Sequence, residues 1–154
     1  MDKAELAALR KTMGLKPAAN PLAPRVMSES SHQQAIFRWA EYAKATHPEL
    51  RWLHSVPNGG LRGKAAAGQM KGEGQKSGVP DIFLDVARKG YHGLRIELKT
   101  PRIAGVKGVS LAKQPGALSA EQKEWLAHYE VEGYFSAVAY GWEEAKNLII
   151  EYLS

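Results

Sequence analysis

Cysteine is missing from all 154 residues. That excludes disulfides and thiolate metal sites, and it fits a reducing cytosol. No stretch approaches the roughly 20 apolar residues of a membrane-spanning helix, and Met1-Asp2-Lys3-Ala4-Glu5 does not have the pattern of a secretory signal. The expectation is a cytoplasmic protein with no membrane partner. Internal repeats and low-complexity tracts are absent. His54, His92 and His128 do not fall at a ligand spacing such as His-x-x-x-His, so no metal is assigned to them. No helix-turn-helix or zinc module is recognisable, which removes the usual routes to base-specific reading.

What is present is the balance of a folded domain, with 44% hydrophobic and 24% charged residues. The length suits one domain in which a sheet with helices on it buries a sufficient core. The formal net charge is +5, and its placement matters more than its size. Between Pro57 and Leu118 there are eleven Lys and Arg against four acids, so the flanks together are slightly acidic. Positive charge gathered in one region suits a phosphate-backbone ligand, although long solvated loops use the same residues.

The most informative stretch runs from Ser77 to Lys99. Gly78 and Pro80 mark a turn, and the apolar run after Asp81 predicts a strand. Leu94 to Lys99 alternates strictly, with Leu94, Ile96 and Leu98 facing one way and Arg95, Glu97 and Lys99 the other. The polar connection Arg88 to Gly93 lets the two strands pair as an antiparallel hairpin. Asp81 then leaves the turn beside a strand whose one face carries Glu97 and Lys99. Two carboxylates, with the backbone carbonyl of Leu98 between Glu97 and Lys99, suit a hard divalent cation such as Mg²⁺. Such an ion near Asp81 and Glu97 acidifies a water and neutralises phosphate charge, while Lys99 orients that water or stabilises developing charge. Asp85 lies further along the same strand face and competes with Asp81. Asp81 is preferred because it follows the turn and Pro80.

Pro80-Asp81 followed by Glu97-Leu98-Lys99 resembles the PD-(D/E)XK nuclease signature. Pro57-Asn58-Gly59-Gly60, Gly78-Val79-Pro80-Asp81, Tyr91-His92-Gly93-Leu94 and Leu118-Ser119-Ala120-Glu121-Gln122-Lys123-Glu124-Trp125 resemble the VRR-NUC branch of that superfamily, particularly its small stand-alone phage and bacterial members. The resemblance spans about Glu29 to Leu153. It implies an α/β, restriction-endonuclease-like core in the order αβββαβ, with a central mixed sheet flanked by helices. Domain boundaries follow: residues 1–27 as an N-terminal arm and linker, and 28–154 as the nuclease domain.

Asp2 to Met13 has helical composition, and Gly14 to Met27 holds three prolines. Ser28 to Ala45 predicts a helix with Ser28 as its cap and a stripe at Ile36, Trp39, Ala40 and Ala43. The resemblance places an acid at the start of this helix facing the metal, which Glu29 matches; an alternative role is to complement the helix dipole. Gln33 follows one turn later. Arg51 to Val56 predicts a short strand, leading to Asn58 at the rim of the site. Ala65 to Lys71 predicts a helix, from which Lys64, Lys71 and Lys76 are candidates for phosphate contact. The long loop from Thr100 to Leu118 carries Arg102, Lys107 and Lys113 and is expected to act as a basic flap. Ser119 and Gln122 form a capping-box pattern, and the resemblance also puts Gln122 near the metal. Gly133 to Tyr140 predicts a strand and Trp142 to Leu153 a closing helix.

The resemblance implies an Mg²⁺- or Mn²⁺-dependent endodeoxyribonuclease that leaves 5′-phosphate and 3′-hydroxyl ends. Stand-alone members look like structure-specific nucleases, including resolvases of four-way (Holliday) junctions of the kind used in DNA repair, for which a homodimer supplies paired cuts. Two alternatives remain: a basic module that grips branched DNA without cutting, and a flap or nicking nuclease without resolvase activity.

Overall fold

The computed structural model describes residues 27–57, 64–101 and 116–154, together with Thr12. Most of the N-terminal arm, Asn58 with its glycines, and Arg102, Lys107 and Lys113 of the expected flap lie outside the described residues.

Helix α1 (Glu29–Ala43) starts where Ser28 accepts a hydrogen bond from the Ser31 amide at 3.1 Å. It buries His32, Ile36 and Ala40, while Trp39 and Ala43 pack at the margin of the core. It ends at Ala43, two residues before the expected end. A 3₁₀ turn over Pro48–Trp52 comes next, so Arg51 and Trp52 are not strand residues as the sequence suggested. Proline at the start of this turn pre-sets a helical φ, and Leu50 anchors the turn in the core. Strand β1 is therefore only Leu53–Ser55.

The remaining elements are α2 (Lys64–Gly72), β2 (Ile82–Leu84), β3 (Leu94–Lys99), α3 (Ala120–Val131), β4 (Phe135–Tyr140) and α4 (Trp142–Leu153). The sheet order is β1-β2-β3-β4. The first two pairings are antiparallel, that of β2 with β3 as the hairpin pattern predicted, and β3 pairs with β4 in parallel. Parallel neighbours need a crossover, and α3 supplies it. The result is a mixed four-stranded sheet flanked by helices. Among the described residues no helix is long and apolar enough to cross a membrane.

Alternation on β3 decides what each side of the sheet meets. Leu94, Ile96 and Leu98 join Ile36, Ala40, Ala145 and Ile149 in the main core, beneath α1 and α4. Arg95, Glu97 and Lys99 face α3. The sequence predicted this second face as the polar side of a half-buried strand, yet all six residues of β3 are buried. Covering a charged face is costly unless each charge finds partners. How those charges are partnered defines the site.

Helix α4 has glycine at its cap, without a capping side chain. Its Trp142 amide donates instead to Nδ1 of the buried His32 at 3.2 Å, joining the first and last described helices. The sequence carried no signal for this contact, because the two residues are far apart along the chain.

Candidate active site

The β2–β3 register pairs Ile82 with Ile96, and one further step sets Asp81 opposite Glu97 on the same face. The regular ladder stops there because β2 emerges from the turn at Gly78 to Pro80. The Leu98 amide is left for a side chain, and Asp81 Oδ2 accepts it at 2.8 Å. In an extended strand the N–H and C=O of one residue point to the same side, so the Leu98 carbonyl is also directed toward Asp81.

The turn is clamped from above. Gly78 has a φ of +83° and lies against the start of α3, where an added Cβ would meet Glu121 at 2.7 Å. Glycine alone satisfies both requirements. The Trp125 indole N–H donates to the Ser77 carbonyl at 3.0 Å. The α3 N-terminus and the Pro80–Asp81 turn are thus held as one unit.

Gln122 completes it. Its Oε1 accepts from the Ser119 amide at 2.9 Å and the Ser119 hydroxyl accepts from the Gln122 amide, closing the capping box. Its Nε2 simultaneously donates to Glu97 Oε1 at 2.6 Å. One side chain therefore both closes the cap and holds Glu97. Lys99 Nζ reaches the same Oε1 at 3.2 Å. Glu97 Oε2, by contrast, is buried and has no hydrogen-bond partner among the described residues.

The electrostatics follow from this arrangement. Burial first, and then the neighbouring Asp81 charge, push the Glu97 carboxyl from the usual 4.5 up to about 7, against the pull of Lys99. Burial also raises Asp81, against the Leu98 hydrogen bond. Two abutting carboxyls with one ammonium between them hold excess negative charge. They need either a shared proton or a cation. A cation fits on chemical grounds: the open positions are Oε2 of Glu97, the Asp81 carboxylate and the carbonyl of Leu98, all hard oxygens. Glu29, exposed in the first turn of α1, adds its field to both acids. Among the described residues no three His, Cys, Asp or Glu side chains cluster as a ready-made ligand set, so Glu29 stands apart from the pair.

The other predicted residues fall in several places. Asp85 belongs elsewhere: its Oδ1 lies 3.0 Å from Arg95 Nη1, away from the Glu97 end of the face. Gln33 lines the cleft beside Asp81 with Glu29. Lys64, Lys71 and Lys76 are exposed, α2 buries none of its residues, and none of the three lysines bonds to Asp81 or Glu97 among the described residues. The sequence reading missed Arg95. Its guanidinium lies 4.1 Å from the Phe83 ring centre and 4.2 Å from that of Tyr134, with Tyr129 at 5.3 Å. Its place on the same β3 face as Glu97 was the available signal.

Comparison with known proteins agrees with the fold. The family model for the VRR-NUC domain matches residues 27–143. A solved structure described as a VRR_NUC domain protein is similar at a TM-score of 0.64, with 29% sequence identity over 84% of this chain and 90% of that one. No curated protein matches.

Proposed function

The chain belongs to the VRR-NUC domain family, which is nuclease-type, and from that premise we propose that it is a metal-dependent endonuclease hydrolysing phosphodiester bonds in branched DNA, four-way junctions among them. One observation carries the reading: a buried glutamate oxygen without a donor among the described residues, set beside a second carboxylate whose charge it must tolerate.

Asp81, Glu97 and the Leu98 carbonyl would hold Mg²⁺ or Mn²⁺, and Glu29, set apart from the pair, would add its negative charge from α1. When bound, the cation supplies Lewis-acid activation of water and neutralises charge on the scissile phosphate. The chain's own residues do the rest. Gln122 fixes Glu97 Oε1, so that Oε2 keeps its direction. Asp81 is fixed through the Leu98 amide. Lys99, its side chain only 10% exposed, presents a positive charge 3.2 Å from Glu97; it orients the attacking water and stabilises charge building on phosphorus. The products carry 5′-phosphate and 3′-hydroxyl ends. Exposed Lys64, Lys71 and Lys76, with Arg102, Lys107 and Lys113, hold the phosphate backbone without reading sequence. A two-fold homodimer presents two such sites for paired cuts.

The test is cleavage of end-labelled linear, flap and four-way-junction DNA with Mg²⁺ and with EDTA, alongside sedimentation analysis. Mg²⁺-dependent cuts concentrated at branch points by a dimer are expected. Failure to cut any branched DNA overturns the enzymatic reading, and cutting by a strict monomer overturns the paired-cut reading.

A further inference from the structure

Beside Asp81 the surface opens into a cleft of about 490 Å³ that runs between α1 and the end of β1. That is within the roughly 300–1,000 Å³ of small-ligand sites. Its chemistry differs from that of a phosphate groove. Among the described residues, none of its lining side chains is basic. The N-terminus of α1 does not draw an anion either, because Ser28 already caps it and Glu29 fronts it. The walls are instead the side-chain amides of Gln33 and Gln34, the hydroxyl of Ser55 and the half-buried ring of Phe37, with the Glu29 and Asp81 carboxylates at one side.

Amides that donate and accept together, a hydroxyl and an aromatic wall are what proteins use to hold base edges and base faces. With Asp81 and Glu29 given to the cation, the amide oxygens of Gln33 and Gln34 are the acceptors left for an exocyclic amine, and no basic side chain among the described lining residues draws a second phosphate. We propose that this cleft takes one unstacked nucleobase bearing an exocyclic amine, from the nucleotide next to the scissile phosphate. Its position rests on the nuclease reading above; its chemistry rests on the cleft. Branch points and strand ends offer such bases at low unpairing cost, so the cleft gives the enzyme a reason to cut there.

The test uses the full chain and DNA carrying 2-aminopurine, scanned one position at a time around a branch, in Ca²⁺ to hold back chemistry. A rise in fluorescence confined to one or two positions is expected. The Gln33→Ala/Gln34→Ala double variant, which alters one half-buried and one exposed residue, loses that rise and binds branched DNA about tenfold more weakly. It keeps the thermal shift that Mg²⁺ gives the wild type. No fluorescence change with DNA bound, or a rise that survives in the variant, overturns the proposal. Loss of the Mg²⁺ shift in the variant also overturns it and makes the cleft an annex of the cation site. Cleavage in Mg²⁺ without a fluorescent position sinks the base site alone. A fluorescent position without cleavage sinks the nuclease reading alone, and absence of DNA binding sinks both.

Discussion

One face of the sheet carries two acid–base groupings, and they are built on opposite plans. At the Arg95 end, a buried guanidinium is stacked on Phe83 and Tyr134 and paired with Asp85, which keeps half its side chain in water. One cation meets one anion, and neither carboxyl oxygen need be desolvated. At the Asp81 end, two carboxyls share one ammonium; Arg95 Nε and Glu97 Oε2 are each buried with no hydrogen-bond partner among the described residues, so an orphaned atom does not separate the two ends. The first arrangement is charge-balanced and serves the fold. The second is stable only with a proton or a cation that the chain does not itself provide. Both lie beneath the same helix, so burial alone does not distinguish them. The count of charges does.

Breaking the two ends should therefore give opposite results. Lys99→Ala, which removes the one ammonium from the acid pair, should lower single-turnover cleavage by about 10²–10³-fold while DNA binding in Ca²⁺ persists. Unchanged cleavage would remove Lys99 from the chemistry. Arg95→Ala should act on stability instead, costing roughly 2–3 kcal/mol in urea unfolding through lost aromatic contact and pairing. If that variant unfolds at the wild-type midpoint, the cage is ornamental.

Glu97→Gln sharpens the contrast, because it removes charge where charge is in excess. At pH 8 without metal it should stabilise the fold by about 1–2 kcal/mol, while abolishing cleavage and the Mg²⁺ thermal shift. The wild type should show the same frustration as pH dependence. The folded chain keeps a proton on Glu97 that the unfolded chain has already released, so metal-free stability falls as pH rises from about 4.5 to about 7. Millimolar Mg²⁺ should flatten that slope in thermal melts; an unaltered slope would argue against a cation at Glu97. The smallest effect is expected for Gln122→Ala, at about 1 kcal/mol for the lost cap. Its cleavage should fall by more than that cap loss explains, since Glu97 Oε1 loses a donor as well. A variant that loses stability alone would restrict Gln122 to capping.

The sequence was most legible where the physics is local. The β2–β3 hairpin follows from the polar connection Arg88 to Gly93 and strict alternation, with the glycine–proline turn starting β2, and the start of α3 from Ser119 and Gln122 three residues apart. The strand expected over Arg51 to Val56 was half wrong for an equally local reason, because Pro48 extended the 3₁₀ turn into it. The site was legible in its residues and in the approach of Asp81 to Glu97, but not in how its charges are partnered. Asp81 and Asp85 are equivalent by periodicity; the turn at Pro80 favoured Asp81, and the bonds of Asp81 to Leu98 and of Asp85 to Arg95 separate them in space. That His32 caps a helix more than a hundred residues away had no local signature.

The order of elements, the pairing of Asp81 with Glu97 and the family membership were written in the chain itself, because turns, alternation and caps act over a few residues. Tertiary packing alone decided that the polar face of β3 is covered, that Arg95 meets one counter-charge while Asp81 and Glu97 share one, and that a cleft opens beside the acids with no basic side chain among its described lining residues. Those outcomes depend on which helix lands on which face and on how little water it leaves behind, and spacing along a sequence does not encode them.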